Sequence, residues 1–359
     1  MREVKIKKKS SRRRKILKTV AIGCGTIVVF FAALVVWIGM EIYQAVQPVE
    51  LSAYHPFRSQ AKKERYLAHY DARAERWPVA SVTRTVETTY GPTFVRISGP
   101  DDGSPLVLLP GANATSLLWE PNIEAFSEQY RVYAVDTIFD FGRSVYTRNL
   151  TTPDDFVVWL DELFDGLGLA DDVRLVGLSY GGWIAGQYAL ERPGKVEKLV
   201  LMAPAATVLG FSADFIKRGI SCLIPHKYFV RSMVTWALAD AAAGSDENRQ
   251  VVEEAADNAW LGMRCFKPKQ MVNPTILSDD QLRSLGPKTL FMVGENEVIY
   301  SGSGADAVRR LNKAAPEIKT VLVPDCGHDL TLVQTEVVNR EILEFLEPAI
   351  PDGPVRPGG

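Results

Sequence analysis

A serine between two glycines, Gly177-Leu178-Ser179-Tyr180-Gly181, follows an apolar run at 173–176 and precedes a helix-like stretch at 182–191. A strand that turns sharply into a helix lifts a serine hydroxyl above the end of a sheet. Glycines flank it because side chains there would strike the neighbouring strand and helix. The helix that follows points backbone N–H groups at the place where an oxyanion would form. This is the setting of a nucleophilic serine, which needs a base and an acid. Composition alone would place the five-residue pattern in about one chain in ten of this length, so those partners decide its meaning.

The histidines are His55, His69, His226 and His328. Only His328 lies beyond Ser179 and directly after a late strand-like run, in Val321-Leu322-Val323-Pro324-Asp325-Cys326-Gly327-His328. Gly327 leaves that loop room to bring an imidazole against a serine. The acid is sought one strand earlier. The run 289–293 ends in Gly294 and is followed by Glu295, Asn296 and Glu297. A carboxylate there can reach the far imidazole nitrogen, fix its tautomer and stabilise the imidazolium. Glu297 is the assignment, with Glu295 and Asp325 in reserve. A second oxyanion donor must come from the loop after an early strand, here Pro110-Gly111-Ala112-Asn113. The N–H groups of Ala112 and Tyr180 are the expected pair, with the Asn113 side chain as a further donor. Asn113-Ala114-Thr115 and Asn149-Leu150-Thr151 also match the N-glycosylation sequon. A glycan on Asn113 would block the pocket, so that reading is set aside there.

The elements that must position these groups alternate along the chain. Strand-like runs fall at 81–88, 93–98, 106–109, 131–135, 173–176, 198–202, 289–293 and 320–323, with helical stretches at 122–129, 154–167, 182–191, 304–314 and 331–345. The pattern predicts an α/β fold, a mostly parallel eight-stranded sheet with helices on both faces. From 205 to 285 no strand pattern occurs, and Phe211, Phe215, Tyr228, Phe229, Met233, Trp236, Trp260 and Phe266 recur. A helical cap insertion is expected there. Most of its aromatics would pack a core, and a few would line a pocket over Ser179.

The chain has 359 residues, 47% hydrophobic and 23% charged, room for one large α/β domain with an insertion and not for several enzymes. A formal net charge of −2 gives no electrostatic case for nucleic-acid binding. The charge is unevenly spread. Ten lysines and arginines crowd residues 1–18 against the single acid Glu3, and an uncharged run follows from Thr19 to Met40. As a helix that run would be about 30 Å long, the thickness of a bilayer core. Trp37 and Tyr43 suit its outer interface. The expectation is a single transmembrane anchor at 19–40, a basic cytoplasmic segment at 1–18 and a catalytic domain outside the cytoplasm. A cleaved signal peptide is the competing reading, with a shorter apolar region and a small-residue cleavage site. Residues 41–77 read as a polar stalk, 78–347 as the catalytic domain and the Pro-rich 348–359 as a disordered tail. Beyond Cys24, the cysteines Cys222, Cys265 and Cys326 show no metal-ligand spacing. An external compartment would permit a Cys222–Cys265 disulfide, the alternative being unpaired small hydrophobes.

These residues together resemble the α/β-hydrolase superfamily, in its carboxylesterase-like serine hydrolase branch. The resemblance covers about residues 77–346. It rests on Pro110-Gly111 with downstream Trp119, the loop Asp136-Thr137-Ile138-Phe139-Asp140-Phe141-Gly142-Arg143-Ser144, the elbow at Ser179, Gly294 to Glu297, and Gly327-His328. Two departures stand out. The family usually has His-Gly where this chain has Pro110-Gly111, and the acid is commonly Asp where Glu297 stands. The resemblance implies a serine hydrolase acting on carboxylic esters through an acyl-enzyme, with no metal or organic cofactor. The fold also hosts thioesterases, acyltransferases and C–C hydrolases. A reading from another class is a membrane-tethered binding or scaffold protein on this fold with weak catalysis. Pro110 favours it, and the intact serine, acid and histidine oppose it.

Overall fold

The computed structural model describes residues 32–169, 171–286 and 288–347. The expected basic segment, the apolar run as far as residue 31 and the Pro-rich tail lie outside them. Residues 32–45 form a helix, and the chain divides into two units after Gln47. Among the described residues no helix is long and apolar enough to cross a membrane. The expected span at 19–40 therefore has no counterpart there beyond its last nine residues.

From Pro48 onward one eight-stranded sheet organises the chain: β1 (Ser81–Val86), β2 (Thr93–Ser98), β3 (Ser104–Leu109), β4 (Tyr130–Val135), β5 (Val173–Leu178), β6 (Val196–Met202), β7 (Thr289–Gly294) and β8 (Lys319–Val323). The spatial order is β1-β2-β4-β3-β5-β6-β7-β8, and only the β1–β2 and β2–β4 pairings are antiparallel. Every residue of β5 and of β7 is buried, which explains their mainly apolar sequences: helices cover both faces and leave no polar side to alternate with, and the one charge in β5, Arg174, pairs with Glu197. β1, at one edge, is mostly exposed and carries polar residues instead.

The covering helices start and stop on local signals. The helix Pro153–Leu167 opens with proline in its first turn and a reciprocal Thr152–Asp155 capping box, and it closes at Gly168 in the left-handed region (φ 76°). The helix Tyr180–Glu191 is buried on nearly all sides, with Trp183, Ile184 and Tyr188 inside the core.

Two segments differ from the sequence expectation. The stretch 41–77, polar in composition, does not behave as a free stalk along its whole length. Its helix Gln60–Ala74 buries Tyr66 and Tyr70. Phe57 pairs with Phe266 in an isolated antiparallel bridge, and the Trp77 indole N–H donates to Ser98 Oγ at 3.1 Å. Two tyrosines four residues apart suffice to dock one helical face, and the charged residues on either side of them, Lys62 to Arg65 and Asp71 to Arg73, hide that stripe in any average over the segment. The insertion between β6 and β7 is helical as expected: Ala213–Ser221, Lys227–Ala237, Ala239–Ala243, Asp246–Cys265 and Asp279–Leu285. The last of these packs beside Tyr180–Glu191 and Gly304–Ala314, so it belongs to the scaffold. Cys222, Cys265 and Cys326 are free thiols.

Candidate active site

Ser179 sits between β5 and the helix Tyr180–Glu191 with φ 53° and ψ −116°, outside the relaxed regions for a residue with a β-carbon. The strain is held from several sides. Ser179 N–H donates to Met202 O, and Ser179 O accepts from both Trp183 N and Ala205 N. The flanking glycines are forced by close approach. A β-carbon on Gly177 would lie 2.3 Å from Gly181 O, and one on Gly181 would lie 2.4 Å from the carbonyl oxygens of Leu109 and Pro110. The elbow therefore rests directly on the loop that leaves β3.

β5, β7 and β8 are mutually parallel through β6, so the segments after them emerge at the same edge of the sheet. Glu297 follows β7 and His328 follows β8. The Glu297 side chain is wholly buried, and its Oε2 accepts a hydrogen bond from His328 Nδ1 at 2.8 Å. A carboxylate can only accept, so that nitrogen carries the proton and Nε2 is left as the basic atom. The second oxygen, Oε1, accepts from Ile299 N at 2.7 Å, which fixes the carboxylate plane. Glu295 and Asp325, the reserves, are exposed. Burial opposes a charged imidazole at His328, but the charge and hydrogen bond of Glu297 outweigh it, so the pKa is raised above the ordinary histidine value.

The β3 loop meets Ser179 at Gly111, where an added β-carbon would lie 3.3 Å from Ser179 Cβ and 3.8 Å from Oγ. Ala112 follows at once. Tyr180 is the first residue of its helix, so its N–H has no acceptor within that helix. Asn113 is in the left-handed region (φ 62°), a conformation asparagine tolerates better than most residues. Its N–H donates to Asp140 Oδ2 at 3.0 Å, and its carbonyl accepts from Asn258 Nδ2 of the cap at 3.2 Å.

Several groups that brace the site belong to no motif. Asp140 also accepts from Phe141 N at 2.7 Å, and Lys269 Nζ lies 3.6 Å from its Oδ1, both side chains being buried. That is ion-pair distance rather than a hydrogen bond. The ammonium also lies over the rings of Phe141 and Phe139, at 5.1 and 5.7 Å. Burial pulls the Lys269 pKa down to about 8 even though Asp140 pulls it up, and burial raises the pKa of Asp140. Asp136, at the end of β4, accepts from Ser116 N and Arg143 N, both at 2.8 Å, and from the Tyr70 hydroxyl at 3.3 Å. It closes the loop that carries Asp140. Beside His328, Asp329 accepts from Gly327 N at 3.1 Å and from Ala241 N of the cap at 2.6 Å. Asp140 lies in the loop 136–144, where the sequence gives no sign of its burial. Lys269, in Lys267-Pro268-Lys269-Gln270, reads as a solvent-facing cation.

Among the described residues no cluster of three or more His, Cys, Asp or Glu could hold a metal ion. Trp236, an expected pocket aromatic, instead lines a groove on the cap that none of Ser179, Glu297 and His328 lines.

The model of the alpha/beta hydrolase family matches residues 106–341. Carboxylesterase YbfK of Bacillus subtilis (strain 168) is 34% identical to this chain over 284 residues, covering 79% of this chain and 93% of that one. An uncharacterized carboxylesterase, nap, of the same bacterium is 32% identical over 286 residues, covering 78% and 92%. Among solved structures, naproxen esterase (carboxylesterase NP) from Bacillus subtilis superposes with a TM-score of 0.72 at 30% identity, covering 83% of this chain and all of that one.

Proposed function

The chain belongs to the alpha/beta hydrolase family, and from that premise we propose that it is a membrane-anchored serine carboxylesterase acting through an acyl-enzyme. The observation that carries the reading is the strained Ser179 at the same sheet edge as the buried His328–Glu297 pair. In this reading His328 Nε2 takes the proton of Ser179 Oγ as the oxygen attacks the ester carbonyl. Glu297 holds the imidazole and stabilises its cation. The N–H groups of Ala112 and Tyr180 receive the oxyanion. His328 then gives its proton to the departing alcohol. Water, deprotonated by the same imidazole, attacks the acyl-enzyme and releases the acid and free Ser179.

Carboxylic esters are the proposed substrates, by analogy with the carboxylesterases matched over most of this chain, and small or medium acyl groups are the proposed range. A fluorophosphonate probe tests the assignment. It should label the wild-type serine and leave Ser179→Ala unlabelled, with ester turnover falling about 10⁶-fold. Labelling that persists in Ser179→Ala would sink the nucleophile, and an unlabelled wild type would favour the scaffold reading.

The anchor rests on the uncharged run Thr19–Met40 behind ten cations. The proposed topology puts the N-terminus in the cytoplasm and the catalytic domain outside. Protease added to intact cells should then reach that domain, and a domain protected until the membrane is broken would reverse the orientation.

A further inference from the structure

The helix Ala213–Ser221 of the cap has no buried residue. Ile216 and Ile220, one helical turn apart, are 50% and 62% exposed, and Leu223 and Tyr228 beyond them are exposed as well. A helix in a globular protein ordinarily turns its apolar stripe inward, and leaving it in water forgoes the gain of burial. The charge around this ridge is also unusual. Residues 213–231 carry Lys217, Arg218, Lys227 and Arg231 against the single acid Asp214, a net +3. The first eighteen residues carry +9 of a total of −2, so the rest of the chain carries −11. The ridge is thus a basic and apolar island on an acidic body.

A groove of about 370 Å³ opens beside the ridge, lined by Arg218, Tyr228, Arg231, Ser232, Thr235 and Trp236. Arg218 stacks over the Trp236 ring at 4.9 Å and donates to Ser232 Oγ at 3.0 Å. Arg231 pairs with Glu253, and Lys227 with Asp257 at 2.6 Å. Both pairs are largely exposed, so each exchanges partners at little cost.

We propose that this face of the cap docks on an anionic lipid bilayer. Ile216, Ile220 and Leu223 enter the boundary between headgroups and acyl chains, while Arg218 and Arg231 hold a lipid phosphate at the groove. The combination of exposed aliphatic residues, flanking cations and amphipathic tyrosine and tryptophan is that of an interfacial helix. An acidic protein partner would use the cations but has less use for bare isoleucines at the crest. The inference stands apart from the esterase reading, because docking requires no turnover.

Vesicle co-sedimentation tests it with the piece from Pro48 onward, which removes the N-terminal run from the assay. That piece contains the whole sheet and its core, and solved Bacillus subtilis relatives match it along their full length. It should bind phosphatidylcholine vesicles containing phosphatidylglycerol, more weakly as salt rises, and bind pure phosphatidylcholine poorly. Ile216→Ser combined with Ile220→Ser should lower that binding about tenfold or more while leaving turnover of a soluble ester unchanged. Lys227→Gln with Arg231→Gln should remove the preference for phosphatidylglycerol, and this pair decides if the serine variant loses turnover as well. The proposal fails if the piece ignores anionic vesicles, or if neither variant changes its binding. It also fails if the piece is a dimer that the serine variant dissolves without any vesicle binding, since a second copy would then cover the ridge.

Discussion

The sheet edge and the cap build their halves of this site in opposite ways. At the edge, Ser179, Glu297 and His328 stand on segments leaving β5, β7 and β8, and backbone hydrogen bonds hold the first two. In the cap, the helix Ala213–Ser221 has no fully buried residue. The cap meets the loops that carry the candidate groups through backbone bonds at its start (Ser212 N to Ile299 O, Ser301 N to Gly210 O), the buried Lys269–Asp140 contact, and side-chain bonds of Asn258 to Asn113, Asp329 to Ala241, and Asn296 to Asp240. Rigid strands suit groups that must meet within a few tenths of an ångström. The more exposed outer helix of the cap suits selection of what enters. Substitutions at the edge should therefore destroy chemistry, and substitutions in the cap should change preference.

The largest effect sharpens that contrast. His328→Ala should reduce kcat about as far as Ser179→Ala, about 10⁶-fold, because both steps need the same base. Steady-state ester hydrolysis with unchanged thermal unfolding checks it.

Glu297→Gln should cost about 10⁴-fold and should also move the pH profile. In the proposed mechanism neutral His328 is the active form, and Glu297 raises its pKa, so wild-type kcat/KM should fall as pH drops through a value above the ordinary histidine one. Without the carboxylate charge that acid limb shifts to lower pH. An unmoved limb, or a nearly wild-type Glu297→Gln beside an inactive Asp325→Asn, would transfer the acid role away from Glu297.

Lys269→Met tests whether the contact between edge and cap is as stiff as its burial implies. Removing one partner leaves Asp140 as a buried unpaired carboxylate, a loss of about 3–5 kcal/mol. The double change with Asp140→Asn should cost less than Lys269→Met alone, although it loosens Asn113 and lowers kcat more than it raises KM. Urea unfolding of Lys269→Met, Asp140→Asn and the double variant decides, and a loss in the double equal to the sum of the two single losses would show that the pair is not coupled.

The smallest effect belongs to the cap. Phe215, stacked on Phe211 with ring centroids 4.7 Å apart, should affect the response to acyl length. Wild-type kcat/KM should rise over the first few carbons by up to about tenfold per two methylenes. Phe215→Ala should flatten that rise while leaving the fluorophosphonate labelling rate nearly unchanged. A flat wild-type series that the variant does not alter would make the cap a passive lid.

The candidate site at the edge was legible in the sequence because each group is announced locally. Gly-x-Ser-x-Gly marks the turn, a glycine ends β7 just before Glu297, and Gly327 precedes His328. The buried central strands announce themselves by mainly apolar runs, interrupted in β5 by Arg174. The groups that brace the site were not legible, since none has a neighbour in sequence that betrays its burial. Lys269 stands next to Lys267 and Gln270, and the phenylalanines under it, Phe139 and Phe141, are more than a hundred positions away. Tyr66 and Tyr70 are two residues in a run of charge, and only the surface offered by Phe266, Ser116 and Asp136 makes them core.

By itself the sequence determined which residue types could do chemistry and the order of strands that carries them. Both follow from short-range rules, the sterics of a tight turn and the burial of a central strand. The tertiary structure alone decided which carboxylate reaches His328, since Glu295, Glu297 and Asp325 differ little as sequence. What separates them is direction: the chain after β7 turns so that Glu297 faces inward to a 2.8 Å bond while the other two face water. It also decided that Lys269 is buried against Asp140 and that Ile216 and Ile220 are not buried at all. Burial is set by what packs from distant parts of the chain, and no local pattern records that.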